Sequence, residues 1–164
     1  MGCDNIRVAV IDDGIDAHDE FTGRLLSGFT AGTNNTLGVP LNHSSKGHDV
    51  NCAGIIGAAH NNGEGIKGIA PNTLLIPVNI FPYTPTVGNQ GGAALSSDIA
   101  AAIRWAWHPT LGNADVLSNS WGGSSPSTDI TAEINNARTA VEMVRDLLCV
   151  CLRKRRCIFC KLSK

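Results

Sequence analysis

Between Arg7 and Ile11 the sequence reads RVAVI, a β-branched run with no polar alternation, and it stops at Asp12-Asp13-Gly14. Unbroken apolar character over so few residues fits a strand buried on both faces, and Asp-Asp-Gly fits the turn that ends it. Such a strand needs helices on each side of its sheet, and the rest of the chain supplies them. His48 to Ala59 (HDVNCAGIIGAA) is rich in small and apolar residues and reads as a buried helix. Thr73 to Phe81 (TLLIPVNIF) reads as a second strand, although Pro77 removes one backbone donor. Ser96-Ser97-Asp98 is a helix start, with an apolar face at Ile99, Ala102, Ile103 and Ala106, and Pro109 is its stop. Ala114 to Asn119 reads as a third strand and Thr128 to Val144 as a further helix. Residues 32–47, rich in Gly, Asn, Ser and Pro, read as a surface loop. Alternating strands and helices predict an α/β fold with a parallel sheet.

Composition divides the chain of 164 residues in two. Residues 1–137 carry 12 acidic and 5 basic side chains, whereas residues 138–164 carry 2 acidic and 8 basic. All 18 Gly and all 7 Pro precede residue 127, while Cys149, Cys151, Cys157 and Cys160 crowd the end. A joint shift of this kind marks a boundary or a foreign segment. No apolar run approaches the ~20 residues that span a bilayer, which argues against a membrane partner. The first residues lack the basic start and apolar stretch of a secretory signal.

Two residues stand where chemistry gathers in open α/β sheets, at the carboxyl ends of strands. Asp12 ends the first strand and could orient an imidazole; alone, a bare Asp-x-Gly is more often a turn Asp that caps the next helix. His48 follows Gly47 at a helix start, where a ring nitrogen is free to accept a proton; alone it is an ordinary capping or surface histidine.

Four segments in order change that balance. VAVIDDGID (Val8–Asp16) resembles the Asp motif of the subtilisin family, and GHDVNCAGIIGA (Gly47–Ala58) resembles its His motif. NNGEGIKGIAPNTLLIPVNIF (Asn61–Phe81) is similar to the family's next stretch, a turn, Gly-Ile-Ala-Pro and a strand. DVLSNSWGG (Asp115–Gly123) is similar to the segment that walls the substrate cleft. The resemblance covers roughly residues 6–138. It implies a three-layer sandwich around a parallel sheet, incomplete here, and serine endopeptidase chemistry. It places the catalytic Asp at Asp12 and the catalytic His at His48. The Asp would hold the imidazole in the tautomer that takes the proton of a Ser hydroxyl. Ser118, Asn119, Ser120, Trp121 and Gly122 would bind an extended polypeptide by strand addition. Calcium is a cofactor that the family commonly uses, but no ligand set for it is legible in the sequence. The family's members are commonly secreted.

The departures are specific. No Gly-Thr-Ser-Met-Ala nucleophile motif and no Ala-Gly-Asn oxyanion motif occur. An oxyanion donor is worth about 2.7–4 kcal/mol to the transition state, and without the Ser the covalent route is closed, so the chain is expected to be inactive alone. Asp49-Val50 stands where Gly-Thr is usual, so that Asp49 could raise the His48 pKa or compete with Asp12 for its proton.

The resemblance stops after Arg138. Reading each codon's last base with the next two, Glu142-Met143 must give Asn or Asp, and Met143-Val144 must give Gly. The neighbouring junctions permit a Gly-rich turn and then Leu-Val-Val. Residues 1–138 therefore read as the N-terminal part of a peptidase domain, and residues 139–164 as a frameshifted or disordered tail. Two rival readings remain. The chain could be a non-catalytic peptide-binding relative. Alternatively, CVCLRKRRCIFC (Cys149–Cys160) could bind zinc through four thiolates, with Arg153 to Arg156 meeting anions or nucleic acid.

Overall fold

The computed structural model describes residues 5–33, 37–40, 47–81, 94–123, 125–142, 149–151 and 157–159, with side chains up to residue 140. Residues 34–36 and 41–46 of the expected loop lie outside the described residues, as do Arg153 to Arg156 and Cys160.

Four strands, β1 (Arg7–Asp12), β2 (Phe29–Thr30), β3 (Leu74–Asn79) and β4 (Val116–Asn119), form one parallel sheet in the order β2-β3-β1-β4. The helices are α1 (His48–Gly57), α2 (Ser96–Trp107) and α3 (Thr128–Glu142). β1 lies in the interior of the sheet, paired with β3 from Arg7↔Leu74 to Asp12↔Asn79 and with β4 from Val8↔Val116 to Ile11↔Asn119. Its side chains alternate between two cores. Ala9 and Ile11 join Ile76 and Val78 against Ile99, Ala102, Ile103 and Ala106 of α2. Val8 and Val10 join Leu75, Ile15 and Phe21 against Ala53 of α1. The three-layer sandwich that the family resemblance implied is thus present, and both faces of the first strand are buried, which is why its sequence shows no alternation.

The expected elements form with small shifts of boundary. α2 starts at Ser96, the head of the expected Ser96-Ser97-Asp98 start, with Leu95 at the N-cap without a side-chain hydrogen bond. At its other end His108 is extended, as the residue before Pro109 must be. Pro77 sits inside β3, a strand paired on both sides. On the flank where it lacks a donor, the neighbouring chain is interrupted between the Leu25↔Leu75 bridge and the start of β2 at Phe29. Gly28 fills that interruption, and a Cβ there would come within 2.1 Å of the Pro77 carbonyl oxygen. A 3₁₀ turn at Asp19–Phe21 ties α1 to the sheet. The Glu20 carboxylate accepts the Ala59 N–H at 2.8 Å, and Arg24 donates to the Gly57 carbonyl at 2.6 Å.

Beyond α3, β5 (Cys149–Cys151) and β6 (Cys157–Phe159) pair antiparallel as a hairpin, with Cys151 opposite Cys157. β5 lies beside β4 without joining its sheet.

Candidate functional site

The carboxyl ends of β1 and β4 and the first turn of α1 meet at one point. Asp12 closes β1 and is 3 % exposed. Its backbone is fixed by the Ile80 N–H, which donates to the Asp12 carbonyl at 2.9 Å. Beyond it the chain turns sharply. Gly14 adopts φ 105°, and a Cβ there would lie 2.3 Å from the Gly38 carbonyl oxygen, so only glycine fits. That turn aims the Asp13 N–H at Asp12 Oδ1, 2.9 Å away.

His48 is the first residue of α1, behind Gly47 in the left-handed region at φ 79°. Its Nδ1 lies 3.0 Å from Asp12 Oδ1, with the His48 side chain 54 % exposed and that of Asp12 4 %. An ionised Asp12 makes Nδ1–H the donor and leaves the Nε2 lone pair available. Burial pushes the Asp12 carboxyl up to about 6, while the hydrogen bonds from His48 and the Asp13 N–H and the His48 charge pull it back. For His48, burial lowers the pKa, but the hydrogen bond to Asp12 and the charges of Asp12, Asp13 and Asp49 outweigh it and leave it raised. Such a buried carboxylate and solvent-facing imidazole can accept a proton at Nε2 and stabilise the resulting imidazolium.

Asp49 is buried at 1 % exposure, and burial raises its pKa. The backbone N–H groups of Val50 and Asp16 pull that pKa back, while Oδ2 is buried without a hydrogen-bond partner among the described residues. Asp49 raises the His48 pKa through space, and it is Asp12 that takes the imidazole hydrogen bond.

Ser118 and Asn119 belong to β4, paired with Val10 and Ile11. Asn119 is buried and its Oδ1 accepts the Trp121 indole N–H at 3.1 Å, which fixes the ring beyond the strand end. Ser120 turns the other way and hydrogen-bonds the Cys52 thiol. Trp121 and Gly122 line a cavity of about 660 Å³ whose apolar walls include Ile80, Phe81, Ile99 and Ile130. The structure thus brings Asp12 and His48 together, sets Ser120 against Cys52 one helical turn along α1, and puts Trp121 and Gly122 into the cavity.

Sequence reading missed Cys52. Its Sγ lies 4.0 Å from both nitrogens of His48, one helical turn along α1, and burial raises its pKa while Ser120 lowers it. The signal was present as the i, i+4 spacing of His48 and Cys52 on one helix face. Among the described residues, Asp12, His48 and Cys52 are the one set of three His, Cys, Asp or Glu side chains whose donor atoms all lie within 4.8 Å of one another. Calcium takes six to eight oxygen ligands, so this nitrogen- and sulfur-bearing set does not fit it.

Comparison with known proteins places these features. The model of the subtilase family matches residues 4–151, which extends past Arg138 into β5. Fervidolysin from Fervidobacterium pennivorans is 36% identical over 121 residues, covering 73% of this chain and 17% of fervidolysin. Subtilisin BL from Lederbergia lenta is 33% identical over 132 residues, covering 80% of this chain and 43% of that protein. The chain therefore spans less than half the length of these relatives. A solved protease structure from Pseudoalteromonas arctica superposes with a TM-score of 0.69 at 25% identity, over 89% of this chain and 49% of that one. The crystal structure of fervidolysin gives 0.68 at 30% identity, over 84% of this chain and 20% of that one. With a parallel sheet, a carboxylate–imidazole pair at its strand ends and a family match across most of its length, the chain belongs to the subtilase family.

Proposed function

We propose that this chain is the Asp- and His-bearing half of a serine endopeptidase domain, able to hold an extended polypeptide but not to cleave it by itself. Asp12 orients and polarises His48, His48 is the general base, and Ser120-Trp121-Gly122 offers the edge along which a peptide pairs. The observation that carries this reading is the 3.0 Å contact between Asp12 Oδ1 and His48 Nδ1 at the carboxyl ends of the strands. Turnover needs a nucleophile and an oxyanion donor besides the pair, and neither motif occurs in the sequence.

The cavity beside Trp121 favours retained peptide binding. Its aliphatic and aromatic walls suit one apolar side chain of a peptide whose backbone runs along residues 120–122. Residues 1–138 carry this function in our reading, while residues 139–164 derive from a shifted frame and have no part in it.

The test is a fluorescent extended peptide with apolar residues at alternate positions, offered to the purified chain. Saturable binding without new termini is the expected result. Cleavage that a Ser-directed inhibitor blocks would overturn the inactive reading, and absence of binding would overturn the peptide-holding one. Sequencing the encoding DNA through codon 164 and beyond tests the tail: an Ala-Gly-Asn segment in the shifted frame supports the frameshift, and a stop codon there refutes it.

A further inference from the structure

We propose that Cys151 and Cys157 form a cross-strand disulfide, made by exchange with an anionic low-molecular-weight disulfide of the glutathione class. β5 and β6 pair antiparallel, with Cys149 opposite Phe159, Val150 opposite Ile158 and Cys151 opposite Cys157. Residues directly opposite each other on such a pair share a face and have Cα atoms about 4.5–5.5 Å apart. A disulfide spans Cα separations of about 4.4–6.8 Å, so strand register alone brings Cys151 and Cys157 within bonding reach.

The same register ranks the rival pairings. Cys149 shares the face of Cys151 but lies two residues along an extended strand, roughly 6.6 Å away and at the far end of that range. Cys149 and Cys157 are diagonal neighbours, about 7–8 Å apart and beyond it. The sequence adds a second observation. The five residues that join the strands, Leu152 to Arg156, include four cations, whereas residues 1–137 carry 12 acidic and 5 basic side chains. Chain connectivity keeps the four cations within a few residues of both thiols, so an anionic disulfide is drawn to this end of an otherwise acidic chain.

The exchange balances in two steps. One cysteine thiolate attacks a sulfur of the small disulfide; that S–S bond breaks, a mixed disulfide forms and one small thiol leaves. The thiolate of the other cysteine attacks the protein sulfur of the mixed disulfide; the Cys151–Cys157 bond forms and the second small thiol leaves. The two protein thiols give up two electrons and two protons, and the small disulfide takes up both. This inference rests on strand register and charge and stands apart from the peptidase reading.

The test treats the full chain, reduced and then freed of reductant, with oxidised glutathione, quenches it by alkylation and maps the peptides by mass spectrometry without reduction. The expected product is a bridge between the peptides that carry Cys151 and Cys157, while the same reaction in concentrated urea gives mixed pairings. C149S should keep that bridge and C157S should abolish it. A folded chain that joins Cys149 to Cys151 or Cys157 to Cys160 instead, or forms no internal bridge, would overturn the proposal, as would the same mixture with and without urea. As a second measurement, replacing Arg153 to Arg156 with Ser should slow bridging by oxidised glutathione about tenfold and leave bridging by the neutral hydroxyethyl disulfide within about twofold. Equal slowing with both reagents counts against an anionic oxidant.

Discussion

The cluster at Asp12 and the hairpin formed by β5 and β6 are built by opposite means. Asp12 reaches its place through parallel pairings with β3 and β4, strands far away in the sequence, and through a helix packed on each face of the sheet. The hairpin closes on itself, with Cys151 facing Cys157 across one short connection. A local antiparallel pair asks little of the rest of the chain, whereas a parallel strand forms only when its crossovers and both cores form with it. The acid–base chemistry of this protein sits on the non-local side of that contrast, so it should be the first thing lost when the core is weakened.

The largest expected difference tests the contrast directly. Ile11→Ala removes a fully buried side chain from the strand that carries Asp12 and should lower unfolding stability by about 3 kcal/mol, read as a lower urea midpoint. Replacing Arg153 to Arg156 with Ser should change it by less than about 0.5 kcal/mol. Equal effects would make the tail part of the cooperative unit and break the comparison.

A smaller effect separates the two regions by pH. Asp12 has its pKa raised to about 6 from 3.8. Between those values the folded chain binds the proton more tightly than the unfolded one, so stability falls as pH rises through that window. The raised His48 pKa acts with the same sign: its contribution is present below 6.5 and lost as pH rises through the folded-state value. Asp12→Asn keeps the shape and removes the buried charge. Its unfolding free energy relative to the natural chain should therefore improve from pH 4 to pH 8, by on the order of 1–2 kcal/mol. A difference that is flat with pH would mean that burial is not what raises Asp12.

At the far end of the cluster, Trp121→Ala removes a cavity wall and should weaken binding of an apolar extended peptide about tenfold, or ~1.4 kcal/mol, with little change in stability. The smallest effect is that of Asp49→Asn, which should lower the His48 pKa by less than Asp12→Asn does, read from the imidazole NMR resonances against pH. A larger drop would give Asp49 a direct share of the imidazole proton.

Sequence pattern reveals much of this architecture because the sheet is buried on both sides. Unbroken apolar runs marked β1 and β3, and the stripe Ile99, Ala102, Ile103 and Ala106 marked the buried face of α2, whose four residues are each at most 9% exposed. Caps were harder. Ser96-Ser97-Asp98 marked where α2 begins, but nothing in the apolar Leu95 marked it as the N-cap, a position it holds without a side-chain hydrogen bond. Asp12 and His48 were legible through ordered motifs, and their contact is a matter of geometry. Cys52 was easy to pass over: in a stretch of small apolar residues a thiol looks like one more core position, and its i, i+4 spacing from His48 is the one mark that sets it apart. The hairpin was not legible either, since no Gly, Pro or Asn marks a turn between Cys151 and Cys157.

Pro77 has a consequence for how the strands find their alignment. Its missing donor is harmless only where the neighbouring chain steps away between Leu25 and Phe29, with Gly28 seated against its carbonyl. Sliding β3 by two residues would keep every side chain on its own face, yet it would put the ring against a paired strand and leave an acceptor there unmatched. The proline thus works as a key cut for a single lock, ruling out the nearest misaligned sheets and so fixing the height at which Asn79, and beside it Asp12, emerge at the sheet's rim.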